Sequence, residues 1–207
     1  MIKIFYKKRI ISLTKDKQHD ESPEKQAVSI ADVSDIKVKI NRFTANSKLK
    51  HLNIYGSEPG RLLEFVRHAF VEIDAGGGLV QNSSGLYLFI HRLKRWDLPK
   101  GKAENNEAPE MCALREVSEE CDMDIEQLNL DEDLGYTYHM YQLKNKLVLK
   151  KTHWYNMHYD GDCSKIRPQT EEDIEKCVWV DKATIPHLMK NSYASIADLL
   201  KRARVMD

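Results

Sequence analysis

The run from Pro109 to Cys121, PEMCALREVSEEC, constrains this chain more than any other stretch. Proline suits the first helical position, where its fixed φ fits and its missing N–H costs nothing, and no glycine interrupts the residues up to Glu120. The pattern predicts a helix from about Pro109 to Cys121. Each residue turns the helix by about 100°, so Glu116, Glu119 and Glu120 share one face while Leu114, Val117 and Cys121 share another. One face is acidic and the other is suited to burial.

Three carboxylates this close repel one another, by about a few tenths of a kcal/mol per i,i+4 pair in an isolated helix. They form either a solvated acidic face with salt-bridging neighbours or a rack for a hard divalent cation, Mg2+ or Mn2+, which takes carboxylate and carbonyl oxygens. The helix alone leaves both readings standing.

The spacing upstream separates them. Gly101, five residues, Glu107, seven residues, Arg115-Glu116-Val117-Ser118-Glu119-Glu120, then Cys121, Asp122 and the apolar Met123, resembles the signature of the Nudix hydrolases, Gly-x5-Glu-x7-Arg-Glu-apolar-x-Glu-Glu-x-Gly-apolar. Eight of its nine fixed positions match, and the lead-in Trp96-Asp97-Leu98-Pro99-Lys100-Gly101-Lys102 is similar to the family's. The departure is Asp122, where the family has a glycine that ends the helix at positive φ. Aspartate is among the few other residues that tolerate this conformation, so an altered C-cap with the acidic face retained is expected.

The resemblance implies that Glu116, Glu119 and Glu120 are metal ligands, joined by the carbonyl of Gly101, and that Glu107 and Arg115 pair to tie loop to helix. A carboxylate meeting a guanidinium bidentately makes a strong geometric clamp. Cleaving a pyrophosphate requires neutralising oxygens that gain charge and holding a water in line, which clustered divalent ions provide. The family also draws a further glutamate from outside this signature, the box from Gly101 to Met123, and Glu171 and Glu172 in the acidic stretch Pro168 to Asp173 are the candidates, with a solvated helix start as the equal alternative.

Net charge is zero, which gives no global case for nucleic acid or membrane binding. The zero hides an asymmetry: residues 1–68 carry 14 Lys+Arg against 8 Asp+Glu (+6), and residues 69–207 carry 18 against 24 (−6). Cys112, Cys121, Cys163 and Cys177 have no zinc-site spacing and read as small buried residues in a reducing compartment. Met1-Ile-Lys-Ile-Phe lacks the long apolar run of a signal peptide and no stretch approaches a membrane span, so the cytoplasm is the expected location.

Along the chain, Ile2 to Thr14 reads as one or two strands with a turn at Lys7-Lys8, and Lys15 to Asp35 as a polar loop. Ile36, Val38 and Ile40 alternate with polar residues, as do Leu52 and Ile54, which predicts two strands around a Thr44 to Lys48 turn. Ser57 is offered as the N-cap of a helix through Arg67. Phe70 to Val80 is a strand whose Gly76-Gly77-Gly78 serves bending or close backbone approach, since no Lys-Ser/Thr ending supports a phosphate loop. Gly85 to His91 follows as a strand, and Leu134 to Leu143 with Leu147 to Tyr159 as a hairpin turning at Lys144-Asn145. Its tyrosines and Trp154 are assigned to packing ahead of base stacking. Cys177 to Val180 is a strand, with helices capped by Asp181 and Ser192 beyond it.

Arg92, Lys94, Arg95, Lys100 and Lys102 flank the box, where basic residues can hold phosphates. Arg92, Lys100 and Lys102 are the substrate-binding candidates. The resemblance implies an α/β fold, the Nudix sandwich of helices around a mixed curved sheet, over residues 69–207; the strands and helix read over residues 1–68 make a small α+β accessory unit. The resemblance also implies Mg2+- or Mn2+-dependent hydrolysis of a pyrophosphate bond in a nucleoside diphosphate linked to another group. The Leu98-Pro99-Lys100-Gly101 lead-in leans toward dinucleoside polyphosphates. Nucleoside triphosphates, ADP-ribose and inositol pyrophosphates are the alternatives, as is a catalytically silent nucleotide-sensing module. The partner is then a small phosphorylated substrate, and residues 1–68, too short to be comfortably stable alone, pack on the Nudix domain or on a second copy of the chain, with docking and a homodimer favoured.

Overall fold

A computed structural model describes residues 1–17, 22–56 and 58–207. The chain divides into two compact units, Met1–Ile73 with Tyr138–Lys150, and Asp74–Thr137 with Lys151–Asp207.

In the first unit, β1 (Ile2–Tyr6) and β2 (Arg9–Thr14) form a hairpin whose turn has Lys7 at φ 55. Strand β3 (Lys25–Ser29), helix α1 (Val33–Ala45), strand β4 (His51–Tyr55) and helix α2 (Pro59–Ala69) follow. Strand β4 lies parallel to both β2 and β3, giving the order β1-β2-β4-β3. Two expectations are corrected here. The alternation at Ile36, Val38 and Ile40 belongs to helix α1, because Ile36, Ile40 and Phe43 stand one and two turns apart and are fully buried while Val38 is 46% exposed. Asp32 starts the helix, its side chain accepting from Asp35 N at 2.9 Å. The polar loop expected over Lys15 to Asp35 contains β3, which pairs along its whole length with β4. The Ser57 cap lies outside the described residues.

Helix α1 ends on a cation. Arg9 Nη1 donates to the carbonyls of Phe43 and Asn46, both at 2.8 Å, and Nη2 to that of Thr44 at 2.9 Å, with the guanidinium 4.8 Å from the Tyr6 and Phe43 ring centroids. A charge placed against the negative end of the helix satisfies carbonyls that have no intrahelical partner. Arg9→Met keeps the stem and removes the donors, and should destabilise the protein by about 2 kcal/mol, read from the shift of the urea midpoint at unchanged m. An unmoved midpoint would mean that these bonds contribute nothing.

The second unit contains β5 (Val71–Asn82), β6 (Tyr87–Arg92), β7 (Arg95–Asp97), β8 (Lys100–Lys102), α3 (Pro109–Cys121), β9 (Leu128–Leu143), β10 (Lys146–Tyr159), β11 (Ile174–Val180), α4 (Ile185–Met189) and α5 (Ala194–Arg202). The strand order is β11-β6-β5-β10-β9, with β7 on β6 and β8 on β5. The hairpin turns where expected, with Lys144 at φ 46 and Asn145 at φ 65. Its end, Tyr138–Lys150, falls in the first unit, where Tyr138 and His139 pair in parallel with Ile4 and Phe5. Helix α5 begins at Ala194, and Ser192 Oγ donates to the Trp96 carbonyl at 2.7 Å instead of capping it.

Two cores sandwich this sheet. Val117, Ala113 and Cys121 of α3 pack with Val80, Tyr155 and Met157 on one face, while Leu79, Phe89 and Trp154 meet Ile185, Ile196 and Leu199 of α4 and α5 on the other. The fold is the mixed α/β sandwich that the resemblance implies. No helix among the described residues is long and apolar enough to cross a membrane.

Candidate active site

Glycine brings the acidic helix onto the sheet. A Cβ on Gly76 would lie 2.5 Å from Ala113 N, so only glycine lets α3 rest on the β5 backbone at this point. Gly76 pairs with Gly101 of β8, and a Cβ on Gly101 would overlap the Glu116 carboxylate. The helix spans Pro109–Cys121 and ends at Asp122 in the left-handed conformation (φ 50, ψ 50), so aspartate takes up the conformation usual for glycine, and the Met123 N–H reaches the Ser118 carbonyl at 3.0 Å.

Arg115 ties the loop to this helix. Its Nε donates to Glu107 Oε1 at 2.7 Å and its Nη2 to Glu107 Oε2 at 2.9 Å and to the Lys102 carbonyl at 3.0 Å. The bidentate guanidinium pushes the Glu107 carboxyl down to about 2, and Glu107 in turn holds Arg115 above its ordinary value. The same Arg115 offers Nη1 to Glu116 Oε1 at 2.9 Å and Glu119 Oε2 at 3.0 Å.

Glu120 is different, being only 1% exposed. The Lys100 backbone N–H donates to its Oε2 at 2.8 Å, and Arg92 Nη1 approaches Oε1 at 3.4 Å. Burial pushes its carboxyl up to about 7, against the opposing pull of the Lys100 charge, its N–H and Arg92. Arg92 also bridges to Glu172 through Nη2 at 2.8 Å, which links Glu172 to the helix carboxylates, while its buried Nε has no acceptor. Glu171 meets Thr170 Oγ1 at 3.5 Å instead.

Of the substrate-binding candidates, Arg92 is committed to Glu120 and Glu172, and Lys100 Nζ to Asp97 Oδ2 at 2.7 Å. Burial draws the Lys100 amine down, but Asp97 and Glu120 outweigh it and leave the amine raised. Lys102 is exposed. Asp97 and the pair His91 Nδ1 to Glu175 Oε2 (2.9 Å) were not singled out from the sequence. Only the i,i+3 spacing of Asp97 and Lys100 could have flagged the first. Trp154 is buried with Nε1 donating to Thr137 Oγ1 at 2.8 Å, which makes it a packing residue.

The Gly101 carbonyl and the carboxylates of Glu116, Glu119 and Glu120 are oxygen donors, the chemistry that a hard divalent cation prefers. One cationic nitrogen, Arg115 Nη1, already lies within 3.0 Å of both Glu116 and Glu119, so these two carboxylates converge closely enough to share one positive centre. Among the described residues no three His, Cys, Asp or Glu groups form a ready-made metal cage. A cation would take over oxygens that now face nitrogen.

A family model of the NUDIX domain matches residues 72–201. A MutT protein from Methanosarcina mazei Go1 has a similar fold, with 21% identity, a TM-score of 0.50, and 64% of this chain and 93% of that one covered. An Ap4A hydrolase from C. elegans aligns with 20% identity and a TM-score of 0.48 over 64% of this chain and 95% of its own. A Proteus vulgaris 8-oxo-dGTP diphosphatase is 40% identical over 43 residues, 21% of this chain. That match spans 38% of the diphosphatase's length.

Proposed function

The chain belongs to the Nudix family, and from that premise we propose that it hydrolyses a pyrophosphate bond in a nucleoside diphosphate linked to a second group, with Mg2+ or Mn2+ as its cofactor. The observation that carries this reading is the meeting of Glu116 and Glu119 on one cationic nitrogen of Arg115, which is itself locked by Glu107. Glu116, Glu119, Glu120 and the Gly101 carbonyl would hold the metal. An ion held there would neutralise charge gained on the phosphate oxygens and lower the pKa of a water. Glu172, tied through Arg92 to Glu120, is the favoured carboxylate outside the helix for accepting a proton from the attacking water, ahead of Glu171. Lys102 would meet substrate phosphate, joined by Arg92 and Lys100 where they exchange a carboxylate for a phosphate oxygen.

The Leu98-Pro99-Lys100-Gly101 lead-in favours a dinucleoside polyphosphate. A nucleoside triphosphate is the second reading, favoured by the 43-residue likeness to an 8-oxo-dGTP diphosphatase. Residues 1–68 belong to the proposal as an accessory unit through which two chains pair in the cytoplasm, and sedimentation giving a strict monomer at high concentration would remove the pairing. The main test is hydrolysis over a panel of dinucleoside polyphosphates, nucleoside triphosphates, ADP-ribose and inositol pyrophosphates with Mg2+ or Mn2+, products being identified by mass. Cleavage of one anhydride, with a mononucleotide or a nucleotide diphosphate released, is the expected result. Absence of turnover across the panel would leave a nucleotide-sensing module in its place.

A further inference from the structure

We infer that Asp97 is a positioning residue, which holds the Lys100 ammonium away from Glu120 and so keeps a second cationic side chain, beside Arg92, from competing there with a divalent cation. The inference rests on the reading of Glu120 as a cation ligand. Lys100 meets Glu120 in two ways that have opposite consequences. Its backbone N–H donates to Glu120 Oε2 at 2.8 Å, a neutral contact that orients the carboxylate without cancelling its charge. Its ammonium is diverted to Asp97 Oδ2 at 2.7 Å and reaches the Leu98 carbonyl at 3.5 Å.

Asp97 is itself fixed, with a side chain only 6% exposed and Oδ1 accepting from Leu98 N at 2.9 Å. The Lys100 side chain is 16% exposed and Glu120 is close enough to feel its charge. With little water to screen them, an ammonium on a flexible four-carbon stem and a buried carboxylate attract strongly. Remove the Asp97 charge and Glu120, a buried anion whose Oε2 lies 2.8 Å from the Lys100 backbone nitrogen, is within reach of the lysine's own four-carbon stem. A lysine paired there would compete directly with a metal ion, so Asp97 acts on the metal through the residue it restrains.

The test is a Mn2+ titration without substrate, following the electron paramagnetic resonance of the free ion, on the wild type, Asp97→Asn, Lys100→Met, Asp97→Asn with Lys100→Met, and Glu120→Gln. Asp97→Asn keeps the shape and the acceptor for Leu98 N, and should weaken Mn2+ binding by about tenfold or more. The double variant, with no ammonium to release, should return to within about threefold of the wild type. Unchanged binding in Asp97→Asn overturns the inference, as does a double variant that binds as poorly as Asp97→Asn, because the turn rather than the freed ammonium would then be at fault. If Asp97→Asn does not fold, Lys100→Met decides: binding at least as tight as wild type is expected, and weaker binding overturns the inference. Glu120→Gln separates the two levels. If it binds like the wild type, the ligand reading of Glu120 fails and this inference with it; if it binds weakly while Asp97→Asn does not, this inference alone fails.

Discussion

Glu120→Gln should lower metal-dependent hydrolysis by about a hundredfold or more, with the fold intact, and should make the metal-free protein more stable at pH 8 than the wild type. Both effects come from one burial. A carboxylate that is 1% exposed is costly to ionise, and the Lys100 charge, its N–H and Arg92 compensate only in part, so its carboxyl is pushed up to about 7 from its ordinary 4.5. A folded-state value above the unfolded one means that the native state binds the extra proton. Stability is therefore favoured below about pH 4.5 and is lost as the pH rises through 7. The displacement corresponds to on the order of 3 kcal/mol, a cost that a divalent ion would offset and that glutamine never incurs. Thermal unfolding in a chelator at pH 5 and pH 8 checks the stability half. The wild type should fall relative to the variant between the two, and parallel curves would remove the argument. Wild-type turnover in the variant would remove Glu120 from the chemistry.

The parts of the site that lie on one helix were legible because local rules suffice there. Pro109 marks the start of α3, and Asp122, read as a tolerable left-handed residue, marks its end. The Glu107–Arg115 pair is legible through the motif, and in the structure Arg115 Nε and Nη2 donate to the two Glu107 carboxylate oxygens at 2.7 and 2.9 Å. Asp97 was not legible, because its importance comes from the buried stretch between β7 and β8 that brings the Lys100 ammonium to it. The same division holds for the fold. Ile36 and Ile40 fit a period of two as well as the helical period while Val38 fits only the first, and the arbiter is Phe43, a turn further on, with helix α2 packing against α1. That residues Tyr138–Lys150 group with the N-terminal unit follows from pairing such as Ile4 with Tyr138, a contact across more than half the chain that no local pattern announces.

Arg115→Lys should cost about 2 kcal/mol of stability, lower the melting temperature by about 5 °C, and reduce catalysis as well. Lysine keeps the charge but has a single nitrogen, whereas Arg115 uses a planar fork on Glu107 and spends its remaining N–H groups on the Lys102 carbonyl, Glu116 and Glu119. One ammonium cannot span a loop carboxylate, a strand carbonyl and two helix carboxylates at once, so the Gly101 loop should loosen against the helix. Acid supplies an independent check. Glu107 is held near 2 by Arg115, below its ordinary 4.5, so its contribution is complete above about pH 4.5 and is lost as the pH falls toward 2. Arg115→Lys should therefore flatten the loss of stability between pH 4.5 and 2, because the lysine variant starts with less of this interaction to lose. Melting temperature and rate both unchanged would refute the clamp. A fall in melting temperature with the acid slope unchanged would mean that Arg115 stabilises the helix without acting through Glu107.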